Sequence, residues 1–383
     1  MHKHQLSRWE ATSLMVGAGV GAGIMAVPFL AERVGLIGLA FILLVAWAAS
    51  ALIHLMLAEV LFRTGRDLQI VELMRLYVLR GRIGQWILWT VFALLSVAFL
   101  ANLAAYVSGA GEIVSDLTGM DRRFSEAIIY VLSAGVVFFG LKAVGIAERL
   151  GALALFGLLL TIAIGAARLP FHARLGPTGS TTQWLALYGM VMYALWTFYS
   201  VPQIVQGLGS DRQGAVRSIL VGLGINGLLT GIVALIALGV SREVTEVAIL
   251  GISARLGWWA GIAGSLFIVF ALITSYWSVS LALADIIRER TSIAARSAWV
   301  LATLPSLLIL WIGAWQFLDW LRLAAGATAL VVALITLPMY QQARRSGPIT
   351  SPGWSLGGWG SPLMLVLMLL ALILMAVGSL VAL

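Results

Sequence analysis

The stretch Gly17-Ala-Gly-Val-Gly-Ala-Gly-Ile-Met-Ala-Val-Pro28 sets four glycines within seven residues of an apolar run and ends in proline. In a helix interior glycine costs about 1 kcal/mol relative to alanine, and proline about 3. Two readings of the stretch stand side by side. It is a small-residue packing face, for which the Gly17/Gly21 and Gly19/Gly23 pairs have the usual spacing, or it is a break in a membrane helix. A second stretch weighs for the break. Tyr193-Ala-Leu-Trp-Thr-Phe-Tyr-Ser-Val-Pro202 is again interrupted before a proline, with Thr197, Tyr199 and Ser200 inside an apolar span. Broken helices at matching positions of two halves are the sequence mark of a carrier built from inverted repeats. Unwound backbone offers N–H groups to a carboxylate and carbonyls to an ammonium or a cation.

Outward from these stretches the chain is uniformly apolar. Of 383 residues 61% are hydrophobic and 10% charged, against about 45–50% and about 25% in soluble domains. So few ionic groups cannot cover a water-soluble surface. The apolar runs are continuous rather than alternating, which predicts helices and excludes a β-barrel. Eleven stretches are long enough to be considered as spans: Ala11–Ala31, Leu36–Phe62, Gly84–Gly109, Ala127–Gly140, Ile146–Ala167, Trp184–Leu208, Ile219–Val240, Trp258–Ile287, Ala298–Ala314, Leu321–Tyr340 and Leu363–Leu383. Residues 1–10 form a basic tail, and the first run is too long for a cleaved signal segment. The segments 67–79 and 241–255 read as an interfacial amphipathic helix and an outer lid, and 346–362 as a loop.

The net charge of +8 is carried almost wholly by arginine in short loops. With the N-terminus inside, basic residues favour the cytoplasmic side two to one, and an odd number of spans then puts the C-terminus outside. The charge therefore reads as topology, not as nucleic-acid binding. Trp9, Trp86, Trp184, Trp258 and Trp320 fall at span ends as interfacial anchors. The absence of cysteine excludes disulfides and thiolate chemistry. His2, His4, His54 and His172 are scattered, and no Gly-x-Ser-x-Gly elbow occurs, which argues against an intramembrane enzyme.

Four motifs carry a resemblance. Gly21-Ala-Gly-Ile24 with Pro28, and Ala194-Leu-Trp-Thr-Phe-Tyr-Ser-Val201, resemble the first- and sixth-helix motifs of the amino acid–polyamine–organocation superfamily. Thr274-Ser275, followed by Val279, Leu281, Leu283 and Asp285, resembles the eighth helix of bacterial aromatic and hydroxy amino acid permeases. Gly326-Ala-Thr with Leu337-Pro338 resembles the tenth helix of sodium-coupled neutral amino acid transporters. The chain thus resembles the amino acid/auxin permease branch over roughly residues 10–345. That resemblance implies an all-α fold of the bacterial leucine transporter type. Spans 1–5 (residues 11–168) and 6–10 (residues 184–340) would be inverted repeats, with an outer loop 169–183, an inner loop 341–362 and an eleventh helix 363–383. It also implies a secondary transporter of neutral amino acids in the cytoplasmic membrane of a prokaryote, with no cofactor and no obligatory protein partner. The rival from a different class is a permease-like receptor that senses an amino acid without moving it.

The expected substrate site takes Ala18, Gly21, Ala22, Gly23, Asn102, Tyr193, Trp196, Thr197 and Ser200. Asn102 and Asn226 are the only asparagines, both mid-span, where polar groups are costly and often functional. The resemblance implies a sodium site made by carbonyls of Val16, Gly19 and Ala271 with the hydroxyls of Thr274 and Ser275. Oxygen-only ligation suits a hard cation, although such hydroxyls also bond their own helix backbone. For proton coupling the candidates are His54 and Glu59. Glu10, Glu148 and Asp285 read as charges at span ends, and no acid lies deep in spans 1, 6 or 8, which favours a neutral substrate.

Overall fold

A computed structural model describes residues 6–241, 244, 248–313, 332 and 335–381. The described residues are helical apart from their connections. Ser7 opens α1 (Arg8–Gly19) with a capping box: its hydroxyl accepts from the Glu10 amide while the Glu10 carboxylate accepts from the Ser7 amide. The chain unwinds at Val20 and Gly21 and restarts as α2 (Ala22–Val34). The two halves are bent by 53°. Pro28 is not the break. It sits inside α2, past the first turn, where it removes one ladder donor.

Then come α3 (Leu36–Thr64), α4 (Ile70–Tyr77), α5 (Gly81–Thr118), α6 (Arg122–Phe138) and α7 (Leu141–Ala166). The expected amphipathic connection is α4, which buries Ile70, Val71, Leu73, Met74 and Tyr77 and packs against α5 and α12. The short fourth stretch draws its missing length from its N-terminal side, where Asp121 caps α6. Helix α8 (Thr181–Ala194) starts at a second capping box, Ser180 with Gln183. It ends in a break over residues 195–199, and the chain resumes in α9 (Ser200–Leu208). Pro202 lies in the first turn of α9, where its missing N–H has no intrahelical partner to lose.

The remainder is α10 (Arg212–Val240), α11 (Ala248–Leu256), α12 (Trp258–Thr291), α13 (Ala295–Ile312), α14 (335–346), a single 3-10 turn Gly357–Gly360 and α15 (Pro362–Leu380). The lid expected over 241–255 is thus helical from Ala248 onward. The Gly326-Ala-Thr motif, Trp320 and most of the tenth stretch lie outside the described residues. Among the described residues seven helices (α3, α5, α7, α10, α12, α13 and α15) are long and apolar enough to cross a membrane, and the bent pair α1/α2 makes eight.

Burial ranks these helices. The most apolar stretch of α12 is 83% buried and that of α15 only 28%, so α12 is central and α15 peripheral. Exposed leucines such as Leu44, Leu153, Leu228 and Leu370 form the outer, lipid-facing surface. Helix α1 is packed by α7, α9, α10 and α12, while α2 lies on α8 and α10. The two broken helices therefore meet in the middle of the bundle.

Candidate functional site

Each glycine of the opening run admits a different neighbour. A Cβ on Gly17 would collide with the carboxyl of Glu148 from α7. On Gly19 it would lie 2.7 Å from the Asn226 Cγ of α10, and on Gly21 it would lie 2.6 Å from the Ser275 Oγ of α12. On Gly23 it would lie 2.7 Å from the Ala194 Cα, where α8 ends. Packing and unwinding are therefore one device. The same residues that weaken the helix let four helices converge on the break.

Between the two breaks lies a cavity lined by Ala18, Gly19, Gly21, Gly23, Phe99, Asn102, Tyr106, Tyr193, Ala194, Trp196 and Tyr199. It has about 20 Å³ of space for the centres of water molecules, enough for one or two waters. No charged side chain is in the lining. Tyr193 donates from its hydroxyl to Asn102 Oδ1 at 2.8 Å, and Tyr199 donates to the Ala18 carbonyl at 3.2 Å. Trp196 stacks on Phe198 with centroids 5.7 Å apart. Its indole N–H and the Ser200 hydroxyl have no hydrogen-bond partner among the described residues.

The expected substrate residues Ala18, Gly21, Gly23, Asn102, Tyr193 and Trp196 thus share one cavity wall. Thr197 stands behind it, fully buried, with its hydroxyl 3.1 Å from His54 Nε2. Ser200 is buried at the start of α9. The side chain of Ala22 lies outside the described residues. Asn226 does not reach the lining; its amide donates to the Met15 carbonyl at 2.9 Å and braces α1 at the break.

The residues of the expected sodium site lie on α1 and α12, which pack against each other, and their oxygens take part in hydrogen bonds. Ser275 Oγ donates to the Gly17 carbonyl at 3.1 Å, and Thr274 Oγ1 donates to the Ala271 carbonyl of its own helix at 3.1 Å. The Val16 and Gly19 carbonyls accept from the Val20 and Gly21 amides.

His54 and Glu59 are fully buried in α3 and away from the cavity lining. The Ser50 carbonyl, 2.6 Å from His54 Nδ1, can only accept, so the ring proton belongs on Nδ1 and Nε2 accepts from Thr197. Ser50 Oγ donates to the Leu195 carbonyl at 2.9 Å, so α3 holds the α8/α9 break at two points. Glu59 accepts from Arg63 Nε at 2.8 Å, the Tyr340 hydroxyl at 3.0 Å and the Leu356 amide at 2.9 Å. It fastens α14 and the loop beyond it to the end of α3.

Three features escaped the sequence reading. Phe99 and Tyr106 flank Asn102 on one face of α5, a spacing of three and four that marks them as companions. Tyr199, noted only as lying at membrane depth, contributes ring and hydroxyl to the cavity wall. Glu148 is not an end-of-span charge but fully buried. Its signal was the pattern Gly145-x-x-Glu148-x-x-Gly151, an acid between two glycines on one helix face. Those glycines pack against Leu6 and Thr274.

Comparison with known proteins gives a family and a fold. The model of the tryptophan/tyrosine permease family matches residues 4–378. Comparison with curated proteins returns no match. Among solved structures, Mhp1, a nucleobase-cation-symport-1 family transporter in a closed conformation with bromovinylhydantoin bound, is similar with a TM-score of 0.64. The likeness covers 97% of this chain and 90% of that one at 13% identity, which establishes a common fold. The chain therefore belongs to the tryptophan/tyrosine permease family of multi-pass membrane transporters, and it is a secondary transporter rather than an enzyme.

Proposed function

We propose that the protein carries an aromatic amino acid such as tryptophan or tyrosine across the cytoplasmic membrane of a prokaryote. It does so by alternating access, driven by a gradient of sodium ions or protons. The observation that carries this reading is the cavity between the two breaks, walled by Phe99, Tyr106, Tyr193, Trp196 and Tyr199 with Asn102 and no charged side chain. A zwitterion's carboxylate suits the free amides at the start of α2, and its ammonium suits the carbonyls that end α1. Aromatic walls suit an aromatic side chain, as the family name suggests. The present cavity is too small for an indole, so binding one requires its wall, Trp196 included, to move.

Eleven spans, an inside N-terminus and inverted repeats over 11–168 and 184–340 complete the proposal. In that orientation a cleft of about 740 Å³ between α2, α10 and α11 faces outward. It is lined by Arg33, Arg174, Arg255, His172 and Glu32 and would gather carboxylate-bearing substrates.

Uptake of radiolabelled tryptophan into liposomes containing the purified chain tests the reading, with sodium and pH gradients imposed separately. Accumulation under one gradient, competed by tyrosine far better than by leucine, is the expected result. Binding with neither uptake nor counterflow would make the protein a receptor. Glu59→Gln should leave the pH dependence of that uptake unchanged while lowering the thermal midpoint. Breaking one side of a buried, bonded ion pair costs about 3–5 kcal/mol. A stable E59Q protein that has lost its pH dependence would give the coupling role to Glu59.

A further inference from the structure

The geometry points to Glu148 as the group that carries a coupling proton through this transporter, an assignment that rests on the symport reading above. Glu148 lies fully buried in α7 (Leu141–Ala166). Ser278 Oγ of α12 donates to its Oε1 at 2.7 Å, while Oε2 has no hydrogen-bond partner among the described residues. The carboxyl presses on Gly17 so closely that a Cβ there would lie 2.6 Å from the Glu148 Cδ. It thus sits where α1, α7 and α12 meet, one residue along α1 from Ala18 and two from Gly19, both of which line the cavity.

Among the described residues no cation is in place to neutralise it. On α7 itself, Lys142 is paired with Glu10 of α1 at 2.7 Å and Arg149 is exposed. On α1, Arg8 is paired with Asp211. On α12, Asp285 pairs with Arg288 and Arg290 with Glu72, all about two turns or more beyond Ser278, and Glu289 accepts from the Gln69 amide. On α6, Arg122 pairs with Glu126 and Glu112 while Arg123 is exposed. On α10, Arg212 donates to the Pro352 carbonyl and Arg217 is exposed. Arg255 of α11 lines the outer cleft. From the break before α9 the titratable group near Glu148 is the Tyr199 phenol.

An ionised carboxylate left alone in such a place is costly, whereas the neutral acid fits. The hydroxyls of Thr274 and Ser275 donate to the Ala271 and Gly17 carbonyls. In the step proposed here, hydronium from the outer water gives its proton to Glu148 Oε2, and the neutral acid lets α1 close on α7 and α12. Release of that proton to water on the inner side restores the carboxylate, which must be hydrated, and this separates the helices. Tyr199 relays the change to the substrate, since its hydroxyl holds the Ala18 carbonyl and its ring lines the cavity.

The test compares the full wild-type chain with Glu148→Gln in liposomes. Exchange of labelled for unlabelled tryptophan needs no gradient, and the variant should retain it with its pH dependence removed. Accumulation driven by an inward pH gradient should fall to the level of protein-free liposomes. Wild-type-like accumulation by E148Q, or accumulation by the wild type under a sodium gradient alone, would overturn the assignment. A substrate-free measurement separates it from the transport reading and does not depend on E148Q being stable. Infrared difference spectra on a pH step should contain a protonated-carboxyl band that shifts in Ser278→Ala. Absence of that band or of its shift would overturn the assignment. The shifting band without any tryptophan exchange by the wild type would overturn the substrate reading alone.

Discussion

Gly23→Ala is expected to abolish tryptophan uptake and to lower the yield and thermal midpoint of the protein. The added Cβ would lie 2.7 Å from the Ala194 Cα, 2.9 Å from its Cβ and 3.0 Å from its amide nitrogen. These are atoms of the α8 end, and none can turn away as a flexible side chain would. Overpacking a core costs about 1–3 kcal/mol where neighbours yield, and here the backbone of one broken helix would have to retreat from the other. The retreat would fall at the cavity, because Gly23 and Ala194 both line it. Uptake and thermal unfolding of G23A check the expectation together. Wild-type uptake by G23A would mean that the two breaks are not held in contact during transport.

The same comparison shows what was legible in the sequence. The glycine run and its echo at residues 193–202 located both breaks, since few arrangements tolerate so poor a helix former at membrane depth. Their exact placement was less legible. Each break precedes a proline in the sequence, but Pro28 lies well inside α2 and Pro202 in the first turn of α9. A proline can follow an interruption without being its cause. Six of the nine expected substrate residues line one cavity, because polar or small residues in otherwise apolar spans have few other uses.

Glu148 was illegible for a traceable reason. The fifth stretch was counted from Ile146 by its hydropathy, which puts Glu148 at its edge. The helix begins at Leu141, directly after Gly140, and Lys142 in its first turn pairs with Glu10 of the neighbouring α1. That start lies more than a turn before Ile146, and Glu148 becomes an interior residue. Hydropathy alone cannot see a pairing between helices. Sequence offers Glu59 and His54 as titratable groups in a membrane; each also bonds other segments of the fold, which hydropathy does not register.

Gly17→Ala should behave differently from Gly23→Ala, although both add one methyl group to the same run. Its collision is with the end of a side chain, the Glu148 carboxyl, and not with backbone. The carboxyl can be pushed off Ser278, so the protein should fold and still exchange tryptophan. What it should lose is accumulation under a pH gradient, by about tenfold or more, since the displaced acid no longer joins α1 to α12. The sharper expectation concerns the pair. In a Glu148→Ala background there is no carboxyl to displace, so adding Gly17→Ala should change neither exchange nor accumulation further. Residues in direct contact show coupling energies of about 0.5–3 kcal/mol in such cycles, whereas independent sites add. Accumulation and exchange measured for both single variants and the double variant close the cycle. Additive losses would show that Gly17 serves α1 alone and that the contact with Glu148 carries no part of the coupling. A double variant no worse than E148A would place the glycine that opens the run and the acid of α7 in a single device.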